Sequence, residues 1–227
     1  MGEKKDKLFV KVPTSIVRNE DIYISNDEFI LYARLCFLHF RNYGREEMQV
    51  DHKKLMSFCL INDTRTFKKR LKALYEAKLI LNEVNKLPTK GALPIEMNTD
   101  YFKEGVMFTK LAAEIFSYFN NGQTDTQSDS RIDEYAFRQI FYYKSHINTK
   151  MKDKKVDRSF CFVGYETLVE RLRVSRTKIK EANEQLKKLK LVKVVKYQLG
   201  HDDQFNENDE LVFDRYNNHY YVANSLF

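Results

Sequence analysis

Two short stretches of this 227-residue chain gather cations where a polyanion would meet them. In the first, Thr64, Arg65, Thr66, Lys68, Lys69 and Lys72 surround an apolar stripe of Phe67, Leu71 and Leu74, spaced i, i+4, i+7 as on one side of a helix. In the second, Ser175, Arg176, Thr177, Lys178 and Lys180 accompany a stripe of Ile179, Ala182, Leu186 and Leu189. A helix seated by its stripe turns the remaining residues to solvent. Arginine's planar fork of donors matches the O6 and N7 acceptors of guanine, and threonine can touch a thymine methyl. Lysines neutralise phosphates and make binding salt-dependent. Arg65 and Arg176 stand early in their helices, the position from which a helix in the major groove reaches base edges.

The residue types that make and break bonds are dispersed. His39, His52, His146, His201 and His219 stand far apart, and Cys36, Cys59 and Cys161 form neither a disulfide framework nor a metal-binding pair. The seven glycines contain no phosphate-cradling cluster. A DNA-nicking tyrosine would need a metal-binding histidine pair, and a tyrosine recombinase an H-x-x-R element; neither is present. Tyr220-Tyr221 therefore reads as packing. The expectation is a protein that is not an enzyme and takes no metal and no cofactor.

Composition is that of a folded chain and permits polyanion binding. Hydrophobic residues make up 43% and aromatics 14%, and 39 Lys+Arg against 32 Asp+Glu leave a net charge of +7. Charged residues interrupt every apolar run before it reaches membrane-spanning length, and Met1 to Lys7 has no apolar centre that would make it a secretory signal. The expectation is a reducing, cytoplasmic setting with no membrane partner.

The elements that position the two basic helices follow from periodicity. An apolar entry segment covers 9–17, punctuated by Pro13, and Ser25 or Asn26 caps a helix that reaches about Arg41 and is apolar nearly all round. A short strand at 48–50, a helix at 52–58, a turn at 60–63 capped by Asp63 or Thr64, and a helix at 65–77 come next. Residues 79–81 then start a strand, 86–91 turn with Lys86 and Lys90, and 93–97 return, making a hairpin wing. The second half repeats the plan, with a spine helix at 131–146, a strand at 160–163, helices at 165–172 and 175–189, and a long wing from 191–197 and 211–222. Polar 120–130 and basic 150–158 read as loops, and the apolar residues Leu111, Ile115, Phe116 and Phe119 suit packing of the halves together.

The halves also echo one another residue by residue. Phe9-Val10-Lys11-Val12 returns as Phe108-Thr109-Lys110-Leu111, Asp27-Glu28-Phe29 as Asp133-Glu134-Tyr135, and Leu79-Ile80 as Leu191-Val192, in the same order. This predicts a mainly α fold with small β wings (α+β), as two tandem winged-helix domains, 1–104 and 105–227, related by internal duplication and joined near 100–106.

The run Leu172-Arg173-Val174-Ser175-Arg176-Thr177-Lys178-Ile179, ending in Leu189-Lys190-Leu191-Val192, resembles the winged-helix DNA-binding pattern of bacteria. Residues 8–80 resemble the amino-terminal domain of plasmid replication initiators of low-GC Gram-positive bacteria, on Phe9-Val10-Lys11-Val12-Pro13, Tyr32 and the later helix-turn-helix. Two successive winged helices are similar to another broad class of plasmid initiators, in which one domain reads DNA and the other pairs subunits. These resemblances imply a non-enzymatic, sequence-specific double-stranded DNA-binding protein, initiating or controlling replication of a plasmid- or phage-like element, with a homodimer as one working form. Transcriptional repression would use the same contacts. The stretch 201–210 is acidic with no lysine or arginine; it would be repelled by phosphate and suits a protein partner, as in an interaction module of the replication machinery.

Overall fold

The computed structural model describes residues 7–120, 131–147, 159–198 and 216–227. The expected loops at 121–130 and 150–158 and the acidic stretch 201–210 lie outside them. The chain opens with strand β1 (Phe9–Pro13), whose proline leads into a one-turn helix, α1 (Thr14–Arg18), closed by Asn19 in the left-handed region. Helix α2 (Asn26–Arg41) starts at a complete capping box: the Ser25 hydroxyl accepts from the Glu28 amide at 3.3 Å, and the Glu28 carboxylate accepts from the Ser25 amide at 2.7 Å. Strand β2 (Glu47–Val50), helix α3 (His52–Phe58), helix α4 (Thr64–Glu76) and strand β3 (Leu93–Glu96) complete the first half.

The second half runs in the same order: β4 (Phe108–Ala112), α5 (Ile115–Asn120), α6 (Glu134–Ser145), β5 (Cys161–Phe162), α7 (Tyr165–Leu172), α8 (Arg176–Lys188), β6 (Val192–Gln198) and β7 (Tyr216–Val222). The architecture is mixed α+β, with eight α-helices and antiparallel sheets of two or three strands among the described residues. In the first half β2 pairs with β3; in the second β7 lies between β5 and β6.

One element falls short of expectation. The strand at 79–81 is reduced to a single bridge between Ile80 and Met97. Pro94 in the facing strand has no N–H to donate. The Asn82 side chain then takes the ladder position, donating to the Pro94 carbonyl at 3.0 Å and accepting from the Glu96 amide at 2.8 Å. The second spine helix starts later than 131, at Glu134, capped by Asp133, whose carboxylate accepts from the Ala136 amide at 2.8 Å. The strand expected at 160–163 keeps two residues, and Asn120, expected in a loop, ends α5.

The halves meet in one continuous core. Strands β1 and β4 pair antiparallel, with Lys11 opposite Lys110 at the centre. Spine helices α2 and α6 pack through Phe29 and Phe141, whose ring centroids are 5.5 Å apart. Phe116 of α5 lies between Phe37 of α2 (5.6 Å) and Phe137 of α6 (5.7 Å), so the expected joining role of this apolar segment is met. Tyr220 is buried and stacks on Tyr143 at 4.1 Å, as packing.

Arg138 of α6 has no exposed surface. It donates to the carbonyls of Ile24 and Ser25, to Ile16 O at 2.9 Å and to Asn19 Oδ1 at 2.6 Å, so one guanidinium ties α6 to the end of α1 and the start of α2. Burial draws its pKa down to about 9, against the pull of Tyr23 and Glu28.

Candidate nucleic-acid interface

Each basic helix is seated from beneath and capped at its start. In α4, Phe67, Leu71 and Leu74 are buried against the spine helix α2, and the Asp63 carboxylate accepts from the Thr66 amide at 2.7 Å. That hydrogen bond holds the Asp63 carboxyl below its ordinary pKa. The chain enters α4 through Leu60 in the left-handed region, at φ 54°. In α8, Ile179, Ala182 and Leu186 are buried against α6, and the Ser175 hydroxyl accepts from the Lys178 amide at 3.3 Å. Here the turn residue is Arg173, at φ 49°.

The anchors of the two helices differ. Asn183 is also buried in α8, where Leu189 is only half-buried. Its side-chain oxygen accepts from Gln139 Nε2 at 2.9 Å and from the Tyr143 hydroxyl at 2.8 Å, so a polar cluster links α8 to α6. Its position, four residues after Ile179 and three before Leu186, lies on the buried stripe, but a polar side chain there gives no sign of the partners it will meet.

The outward residues fall where they were expected. Thr64, Arg65, Lys69 and Lys72 are exposed, and Thr66 and Lys68 are half-buried beside the stripe. Ser175, Arg176, Thr177, Lys178 and Lys180 are all exposed, as are Lys86 and Lys90 in the segment linking the Ile80 bridge to β3. Sequence reasoning passed over Arg173, exposed beside α8 with its guanidinium 3.9 Å from the Tyr23 ring centroid. It also passed over Arg70, which forms an ion pair with Asp27 at 3.0 Å.

The electrostatics separate the two helices. Among the described residues, Arg65, Lys68 and Lys69 form no ion pair, and Lys72 makes a 3.7 Å contact to Glu76. On α8, Arg176 is held by Glu166 of α7 at 2.6 Å, and Lys178 by Glu181 at 2.6 Å. These pairs are exposed and each holds its partners weakly. An incoming phosphate would compete with a carboxylate at Arg176 and Lys178 of α8 and at Lys72 of α4, and would meet no ion pair at Arg65, Lys68, Lys69 or Lys180 among the described residues.

Among the described residues, no helix is long and apolar enough to cross a membrane. Cys36, Cys59 and Cys161 are free and buried. His39 is buried against Phe102, with centroids 4.6 Å apart, and His219 stacks between Phe160 (4.0 Å) and Tyr197 (5.0 Å). Compared with known proteins, the chain matches no family pattern and no curated sequence.

Proposed function

We propose that the chain comprises two tandem winged-helix domains related by duplication, and that it binds double-stranded DNA sequence-specifically, without catalysing a reaction, to initiate or control replication of a plasmid- or phage-like element. The single observation that carries this reading is that both basic helices, α4 and α8, are seated by buried residues with Arg65 and Arg176 exposed beside their first turns. The repeated element order, and a β1–β4 register that sets Lys11 against its sequence counterpart Lys110, support the duplication.

Fluorescence anisotropy with labelled duplexes from the DNA flanking the reading frame tests the reading. One duplex should bind at least tenfold more tightly than a scrambled control, and affinity should fall steeply as salt rises. Arg65→Ala should weaken that complex by about tenfold or more. Affinity indifferent to both salt and sequence would end the proposal. Footprinting then shows whether the site is a set of repeats at an origin or a promoter.

A further inference from the structure

A cavity of about 850 Å³ opens between the C-terminal end of α2, strand β2 and helix α3. Five cations line it, Arg34, Arg41, Arg45, Lys53 and Lys54, against two carboxylates, Glu47 and Asp51. Both carboxylates are engaged nearby. Asp51 caps α3, accepting from the Lys54 amide at 3.1 Å with the Lys54 ammonium 3.7 Å away, and Glu47 accepts from Gln49 Nε2 at 2.7 Å.

Arg34 is the informative member. Its guanidinium is half-buried, 3.9 Å from the Phe58 ring centroid and 5.1 and 5.4 Å from those of Phe37 and Phe116. Among the described residues it makes no ion pair and donates no side-chain hydrogen bond. Burial lowers its pKa, and neighbouring Arg41 lowers it further. A half-buried guanidinium with no acceptor from the protein lacks the oxyanion such groups are normally paired with.

We infer that this cavity binds a small phosphate ester of nucleotide size, with the phosphate on Arg34 and the flanking cations and the remainder of the ligand over Leu38, Met48 and Phe58. The excess of three positive charges favours a dianion or a higher polyanion over a monocarboxylate. The volume falls in the range of small-ligand pockets, and polar groups converge on an apolar floor, as such sites require. None of Arg65, Lys69 and Lys72 on α4 lines it, so the site is separate from the surface assigned above to DNA.

Titration calorimetry on the full chain tests this with AMP, ADP and pyrophosphate as probes and adenosine as the control. Saturable binding of the phosphate probes, with ADP tighter than AMP and no heat from adenosine, is the expected result. Arg41→Ala and Lys54→Ala, both at exposed side chains, should each weaken AMP about tenfold while leaving the melting temperature unchanged. Arg34→Met should abolish binding where it folds; the two exposed variants decide the matter where it does not. Failure of every phosphate probe to saturate, or binding unmoved by Arg41→Ala and Lys54→Ala, overturns the inference. It is equally overturned if duplex DNA displaces AMP and these two variants weaken duplex binding as much as Arg65→Ala does, because the cavity would then be part of a DNA-backbone clamp.

Discussion

Lys11 and Lys110 face each other at the centre of the β1–β4 pair, two like charges directly across an antiparallel ladder. Lys11 is half-buried with its ammonium 5.2 Å from the Phe40 ring centroid, whereas Lys110 is exposed. Opposed like charges destabilise a strand pair, and opposite charges stabilise it by about 0.2–1 kcal/mol. Lys110→Glu should therefore raise the unfolding free energy by about 0.2–1 kcal/mol, read as a higher urea midpoint with an unchanged m-value. A lower midpoint would show that the two ammonium groups do not oppose one another in solution.

On the proposed reading, Arg176 and Lys178 would reach DNA only by leaving Glu166 and Glu181. Glu166→Gln removes the competing charge, so it should tighten duplex binding by a few-fold, in keeping with the ~0.2–1 kcal/mol of an exposed ion pair. Arg65 forms no ion pair among the described residues, so Arg65→Ala should cost more affinity than Arg176→Ala. Anisotropy titrations of the three variants on one duplex check the order.

Arg138→Met should destabilise the chain. Removing a buried charge is by itself favourable, and methionine fills much of the volume. The Ile24 carbonyl, however, loses its donor at the junction of the halves, whereas those of Ile16 and Ser25 keep the Asn19 and Phe29 amides. An unsatisfied buried acceptor costs about 1–3 kcal/mol, so a loss in that range is expected in urea unfolding. A loss under about 1 kcal/mol would mean that water reaches that carbonyl.

His146 supplies a pH dependence. Burial first, and the Arg18 charge second, draw its pKa down to about 4, and its Nε2 is buried without a partner. An unfolded histidine titrates near ~6.5. Between the two values the unfolded chain binds the extra proton, so stability is full above about 6.5 and falls as pH drops towards 4. His39, lowered mainly by burial, acts in the same direction. Thermal melts from pH 7 to 4 should show this decline, and His146→Gln should flatten part of it. A variant that follows the parent curve throughout would remove His146 as a contributor.

Local order determined much of this protein before any tertiary contact entered. The i, i+4, i+7 spacing of Phe67, Leu71 and Leu74 located α4, and the stripe of Ile179, Ala182 and Leu186 located α8, because a helix places such residues on one face. Ser25, Asp63 and Ser175 marked helix starts, since a cap acts on an amide only three residues away. The outward placement of Arg65 and Arg176 followed from the same periodicity.

Tertiary structure alone decided what depends on residues far apart in the chain. The charge of Arg138 reads locally as a solvent-facing interruption of an apolar helix; only the approach of Ile16 and Ile24, more than a hundred positions earlier, gives it partners. Asn183 likewise becomes a core residue through Gln139 and Tyr143. The strand expected at 79–81 stops at Asn82, whose side chain takes the place of the ladder by bonding Pro94 and Glu96 across the pair. Which cations stay open and which meet a carboxylate was also settled by packing, when α7 brought Glu166 beside Arg176. Periodicity reports the face a side chain occupies, whereas its partner is fixed by long-range closure of the chain, which no local pattern encodes.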